Sequence, residues 1–254
     1  MSDIKIVILA EGKGKRMEAL GFDLPKPLIP IHGRPMIRHL IDAVNESQVD
    51  GEPIIITAPD NRDLFCQTLG SRACRYVVQE KQLGTGHAVM CARDHFMDTG
   101  HVMVLYGDHP TVTAQTILRL AREHMEAGAT LTLATVKFPD FNSWRQWFYN
   151  FGRIVRGTDG KIARIVEFKD ATEQEKTITE VNPAYMIFRR DWLCDNVALL
   201  TNKNAQGEYY LTDLVQLAVE QGELIRSITV DNPIEAIGIN TPEQLKAAEE
   251  ALES

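Results

Sequence analysis

Three features of the sequence predict a doubly wound α/β fold around a mainly parallel, Rossmann-like sheet. The chain opens on a nearly continuous apolar run, Ile4, Ile6, Val7, Ile8 and Leu9, as expected of a strand buried on both faces. Short apolar runs then alternate with stretches of helical periodicity as far as about residue 130. A glycine turn, Gly12-Lys13-Gly14, follows the first run, at the carboxyl end of a strand, where such sheets bind ligands.

The elements follow in order. After Pro25, Pro27 and Pro30, the spacing of Ile37, Leu40, Ile41 and Val44 predicts a helix. A strand at Ile54–Ile56, a helix near 61–69 and a short strand at Tyr76–Val78 come next. A helix near 85–95 is expected to start with Thr85 as its cap. The strand Val102–Leu105 ends at Tyr106-Gly107-Asp108, and Thr113 caps a helix whose buried face is Ile117, Leu120, Ala121 and His124. Beyond residue 130 the pattern changes to short strands near 131–136, 153–156, 162–167 and 184–188, with turn signals such as Thr158-Asp159-Gly160. These predict an antiparallel extension of the sheet. Helices near 190–200, 209–221 and 241–252 finish the chain, the last with Thr241, Pro242 and Gln244 at the cap, N1 and box positions. The 254 residues show no linker or repeat, so one unit, 1–254, is expected, in two parts that meet where the pattern changes near residue 130.

Composition narrows the function. Apolar residues at 44% and charged residues at 24% fit an ordinary globular chain, and no apolar run approaches the roughly 20 residues of a membrane span. The first residues lack the pattern of a secretory signal, so a cytoplasmic protein that does not bind membranes is expected. Cys66, Cys74, Cys91 and Cys194 form no CxxC pair, which argues for reduced thiols and against zinc. The net charge of −8 argues against nucleic acid. Yet residues 1–40 hold seven Lys/Arg against four acids, while residues 205–254 hold two against ten. Positive charge gathered beside a glycine turn points to a small polyanion. The turn fits neither the dinucleotide fingerprint, which needs a small residue where Met17 stands, nor the P-loop.

The stretch Leu9-Ala10-Glu11-Gly12-Lys13-Gly14-Lys15-Arg16-Met17 followed by Pro25-Lys26 resembles the signature of the sugar-1-phosphate nucleotidylyltransferases. It departs at Glu11, where a small residue is usual, and at Lys15, where Thr or Ser is usual. Further segments resemble the family in order: Gln79 through Ala88, Tyr106-Gly107-Asp108-His109-Pro110, Gly152-Arg153-Ile154-Val155, Ile165 through Ala171, Glu180-Val181-Asn182, Asn204 through Asp213, and Ile237-Gly238-Ile239-Asn240. They look most like the uridylyltransferase half of bifunctional N-acetylglucosamine-1-phosphate uridyltransferases. No hexapeptide repeat of the acetyltransferase half is seen, so neither acetyl-CoA chemistry nor a trimer built by that half is expected.

The resemblance implies Mg²⁺-dependent transfer of a uridylyl group from UTP to N-acetylglucosamine-1-phosphate, with pyrophosphate leaving. Alternatives are glucose-1-phosphate or another base, and a non-catalytic domain that binds a nucleotide-sugar and regulates a partner. The nucleophile is already an anion, so the task is to bring repelling phosphates into line and spread the developing charge. The resemblance implies Arg16, Lys26 and Asp108 as catalytic residues and Asp108 with Asn240 as metal ligands. It implies nucleotide contacts from Leu9, Ala10, Glu11, Gly12, Gly14, Gln79, Gly84 and Thr85, and sugar contacts from Tyr106, Gly107, Gly152, Glu167, Lys169 and Asn182. Pro183-Ala184 replaces the family's Thr-Gly, which bears on which hexosamine is taken. His87 reads as structural, and His109 stands beside the ligand position. The patch Trp144, Trp147, Phe148, Tyr149 and Phe151 reads as core or a packed flap.

Overall fold

The computed structural model describes residues 3–12, 24–70 and 74–253. The first half contains β1 (Ile4–Leu9), β2 (Pro30–Ile31), β3 (Arg34–Pro35), α1 (Met36–Ser47), β4 (Ile54–Thr57), α2 (Arg62–Leu69), β5 (Arg75–Val78), α3 (Thr85–Cys91), β6 (His101–Tyr106) and α4 (Ala114–Ala127). The second half contains β7 (Leu131–Lys137), β8 (Arg153–Arg156), β9 (Ile162–Val166), α5 (Glu173–Lys176), β10 (Glu180–Val181), β11 (Met186–Arg189), α6 (Arg190–Asn196), α7 (Asp213–Glu220), β12 (Ile225–Thr229) and α8 (Pro242–Leu252).

Among the described residues the main sheet runs β5-β4-β1-β6-β11-β7-β10-β8-β9, with β12 alongside β7. The strands β5, β4, β1 and β6 are parallel, and the rest of the path is joined antiparallel. The expected fold class and the antiparallel extension are both present. The run at β1 is apolar throughout because its residues feed two cores. Ile4, Ile6 and Ile8 face the core that holds Ile37, Leu40 and Ile41 of α1 and Ile117 and Leu120 of α4. Val7 and Leu9 face the other, with Ala88 and Val89 of α3 and Leu193 of α6.

Helix ends follow the expected chemistry, with one correction. Thr113 accepts from the Thr116 amide, and Thr241 with Gln244 forms a full capping box. Thr85 is not the cap of α3. Gly84 takes that position at φ +106°, and α3 ends at Cys91 before a separate turn of 3-10 helix at Arg93–His95. A Cβ on residue 84 would stand 2.8 Å from the Tyr209 amide nitrogen and carbonyl oxygen, so only glycine fits there. Thr85 turns its hydroxyl outward to accept from the Leu211 amide at 3.0 Å.

Four strands and one helix were not evident from the sequence. β2, β3, β10 and α5 are too short to show a period, and β12, at the edge of the sheet, alternates weakly with Arg226, Ser227 and Thr229 exposed. The aromatic patch is packed: Phe148 is buried against Phe138, with Trp144 and Phe151 at its edges. No helix among the described residues is long and apolar enough to cross a membrane.

Candidate active site

The pairing of β1 with β6 creates the site. Leu9 lies opposite Tyr106, and the Gly107 amide donates to the Leu9 carbonyl at 2.8 Å. The chain therefore leaves both strands side by side, as Ala10-Glu11-Gly12 and as Gly107-Asp108-His109. A third segment joins them, because the Ile239 amide donates to the Asp108 carbonyl at 3.0 Å. Asn240 is then held by the α8 cap, where its amide donates to Gln244 Oε1 at 2.6 Å.

Lys26, Asp108 and Asn240 meet at this point, separated in sequence by 82 and 214 residues from Lys26. The Lys26 ammonium is paired with Asp108 Oδ2 and donates to Asn240 Oδ1 at 2.8 Å. Burial works to raise the Asp108 pKa, but the Lys26 ammonium beside it holds it below the usual carboxylate value. The ammonium shows that a carboxylate oxygen and an amide oxygen can share one cation here. Such hard oxygen donors fit a Mg²⁺-like ion that completes its shell with phosphate and water. Among the described residues no group of three or more His, Cys, Asp or Glu forms a protein-only cage for a metal.

Two adjoining cavities lie at this end of the sheet, and the second is lined by Asp108 and Asn240. One, of about 400 Å³, is lined by Glu11, Gly12, Gln79, Gln82, Gly84, Thr85 and Glu208. The Gln79 amide nitrogen donates to the Gly84 carbonyl at 3.1 Å and lies 2.9 Å from His87 Nδ1. Gln79 Oε1 is consequently left buried without a partner among the described residues, and so is Glu11 Oε2. Burial pushes the Glu11 carboxyl up to about 7, and the charges of Asp108 and Glu208 add to the rise. His87 serves to orient Gln79, in keeping with the structural reading.

The second cavity, of about 240 Å³, has Tyr106, Asp108, Gly152, Glu167, Asn182 and Asn240 among its lining residues and shares Thr85 and Glu208 with the first. Glu167 Oε1 accepts from the Thr212 hydroxyl at 2.8 Å, and burial raises the pKa of the carboxyl. A Cβ on Gly152 would stand 3.4 and 3.5 Å from the Glu167 oxygens, so glycine keeps that carboxylate open. Asn182 Oδ1 accepts from the Ala184 amide at 2.9 Å, which leaves the Asn182 NH₂ free to face the cavity. Ala184 holds a left-handed φ of +68°, a conformation that suits glycine better. Phe151 brings the aromatic flap to the rim.

Most of the expected residues are thus brought together. Leu9 and Ala10 are buried and do not line the first cavity, and Gly107 packs on both. Lys169 stands apart, exposed and donating to Gln206 Oε1 at 2.6 Å. Gly14 and Arg16 lie outside the described residues. Sequence reasoning did not single out Glu208, which lines both cavities, or Thr212, which holds Glu167. Both lie in the segment Asn204 through Asp213 that resembled the family, and that resemblance was the available signal.

A family profile described as Nucleotidyl transferase matches residues 5–232. The chain belongs to that family. It is 36% identical over 247 residues to Bifunctional protein GlmU of Caldicellulosiruptor saccharolyticus, covering 97% of this chain and 51% of that protein. It is 40% identical over 244 residues to Bifunctional protein GlmU of Geobacillus thermodenitrificans, covering 96% and 50%. This chain spans about half the length of these curated relatives. A crystal structure from Bacillus anthracis, of a protein described as a glucose-1-phosphate thymidylyltransferase in complex with a sucrose, superposes with a TM-score of 0.76 at 20% identity. It covers 97% of this chain and 94% of that one.

Proposed function

We propose that this nucleotidyltransferase, acting in the cytoplasm, transfers a uridylyl group from UTP to N-acetylglucosamine-1-phosphate with the help of Mg²⁺, releasing pyrophosphate. The observation that carries the reading is a pair of polar cavities that meet at Thr85 and Glu208, the second of them lined by the carboxylate and the amide that already share a cation. One cavity suits a base, the other suits a sugar, and the phosphates meet between them.

Gln79 supports the choice of uracil. Its NH₂ is engaged by Gly84 and His87, so its carbonyl oxygen is the group offered to a ligand. Uracil presents an N3–H donor to such an acceptor. On the other side, Glu167 accepts from sugar hydroxyls and the Asn182 NH₂ donates to a sugar or acetamido oxygen. Gly152 leaves the room they need.

Asp108 and Asn240 hold the divalent ion, which supplies Lewis-acid neutralisation of phosphate charge when bound. Lys26 then exchanges Asp108 for phosphate oxygens, and with Arg16 it stabilises the charge that builds as pyrophosphate leaves. The bidentate guanidinium makes Arg16 hard to replace by Lys. Lys169 acts at a distance, through its bond to Gln206, which lines the sugar-side cavity.

Pyrophosphate release over a panel of nucleoside triphosphates and sugar-1-phosphates, with Mg²⁺ and with chelator, tests the proposal. UTP with N-acetylglucosamine-1-phosphate should turn over fastest and only with the ion. Turnover confined to glucose-1-phosphate would overturn the sugar, and turnover confined to another triphosphate would overturn the base. Binding of UDP-N-acetylglucosamine with no turnover of any pair would overturn catalysis.

A further inference from the structure

His109 has an unusual setting. It follows Asp108 directly and is buried. Its Nδ1 lies 2.8 Å from the Tyr185 hydroxyl oxygen, and that hydroxyl lies 2.6 Å from the Glu235 carbonyl oxygen. A carbonyl oxygen only accepts, so the Tyr185 O–H donates to Glu235 and its oxygen accepts from His109 Nδ1–H. The proton of the neutral ring is thereby fixed on Nδ1. Nε2 is left as the nitrogen that carries the lone pair.

Nε2 faces the cluster. It lies 3.6 Å from Asp108 Oδ1, beyond hydrogen-bond distance. Two lone-pair-bearing atoms side by side call for a cation or a donor between them. Residue 238 keeps that space clear. A Cβ there would stand 2.9 Å from Nε2 and 3.5 and 3.6 Å from the flanking ring carbons, overhanging the nitrogen, and the residue is glycine. Asp108, His109, Gly238 and Asn240 all line the same cavity.

We propose that His109 Nε2 is a third protein ligand to the divalent ion held by Asp108 and Asn240, so that the site favours ions with affinity for imidazole, such as Mn²⁺ or Co²⁺, over Mg²⁺. The proposal rests on the ion site described above. Three considerations support it. A metal-binding histidine regularly spends its other ring N–H on a fixed acceptor, and the Tyr185–Glu235 relay is such an acceptor. Neighbouring and opposite ligands around an ion with bonds of about 2.1 Å stand about 3 and about 4.2 Å apart. The 3.6 Å between Nε2 and Oδ1 falls between these, so a small adjustment suffices. Imidazole nitrogen also shifts a site's preference from Mg²⁺ toward first-row transition ions.

The test is pulsed electron paramagnetic resonance of Mn²⁺ added to the full chain with UTP. The expected result is a ¹⁴N coupling from a directly bound imidazole, lost in His109→Gln while Mn²⁺ still binds. Calorimetry should show His109→Gln weakening Mn²⁺ about tenfold, the scale on which changes to a ligand set alter affinity, with Mg²⁺ much less affected. Mn²⁺ bound without nitrogen coupling would overturn the His109 assignment and leave the Asp108–Asn240 site standing. So would a coupling that persists in His109→Gln, or Mg²⁺ and Mn²⁺ weakened alike. Mn²⁺ that fails to bind with UTP, or binds equally to Asp108→Ala, would overturn the ion site itself and this proposal with it.

Discussion

Replacing Glu11 by Gln should stabilise the protein in a manner that depends on pH. The Glu11 carboxyl rises from an ordinary 4.5 to about 7 in the folded chain, first through burial and then through Asp108 and Glu208. Below pH 4.5 the group is protonated in both states and contributes nothing. Between 4.5 and 7 the unfolded chain gives up the proton while the folded chain keeps it, so stability falls as pH rises. Above about 7 the loss is complete, at about 3 kcal/mol for a shift of this size. Glutamine cannot ionise, so Glu11→Gln should match the parent near pH 4.5 and exceed it by about 3 kcal/mol at pH 8. Any cost of leaving an unpaired amide at this position applies at every pH, and cancels from the slope. Asp213, raised by burial to about 6, tilts both proteins alike and also drops out. Urea denaturation at pH 5, 6, 7 and 8 measures the difference. A difference that stays flat across that range would refute the buried, proton-holding state of Glu11. The same change should tighten UTP binding at pH 8 more than at pH 6, because it removes a negative charge from beside the phosphates.

Three further outcomes are expected. Gly84→Ala forces a Cβ to 2.8 Å from the Tyr209 backbone at a φ of +106° and should cost about 2–3 kcal/mol in urea denaturation; a loss below about 0.5 kcal/mol would contradict the rigid pairing of residues 83–86 with 209–211. Ala184→Gly relaxes a left-handed alanine and should gain from a few tenths to about 1 kcal/mol of stability, whereas a clear loss would assign the methyl group a packing role. Glu167→Gln should raise the KM for the sugar-1-phosphate about tenfold or more, as expected for the loss of charged hydrogen bonds, with the KM for UTP nearly unchanged. Equal changes in both constants would remove Glu167 from the sugar side.

Much of the fold was legible because its signals are local. The strand β1 feeds two cores, and it reads as an unbroken apolar run; α1 and α4 each bury one face, and they show helical spacing. Thr113 and Thr241 act as caps through their own nearby amides. Thr85 misled for a physical reason. It is the kind of residue that caps a helix, but Tyr209 pairs with the backbone on both sides of it, and that leaves only a glycine at the cap. The strand β12 escaped notice because it lies at the edge of the sheet and its polar residues face water.

The site was legible as residue types, and not as contacts. Asp108, Lys26 and Asn240 were named from motifs, but nothing local states that the Asp108 carbonyl accepts from Ile239 and so draws Asn240 into place. The Tyr185–His109 bond spans 76 residues, and the Thr212–Glu167 bond spans 45. Such partners are chosen by the topology of the sheet. Glu11 was seen as an oddity in the sequence, and only its burial turns it into a proton-holding group.

The central claim is that phosphates and a divalent ion meet at the mouth of β1 and β6. Anomalous diffraction from crystals grown with Mn²⁺ and UDP-N-acetylglucosamine addresses it directly. The expected map shows one ion between Asp108 and Asn240, touching the diphosphate, with Lys26 released from Asp108 onto phosphate oxygen. An ion bound elsewhere, or a ligand in place with Lys26 still joined to Asp108 and Asn240, would contradict it.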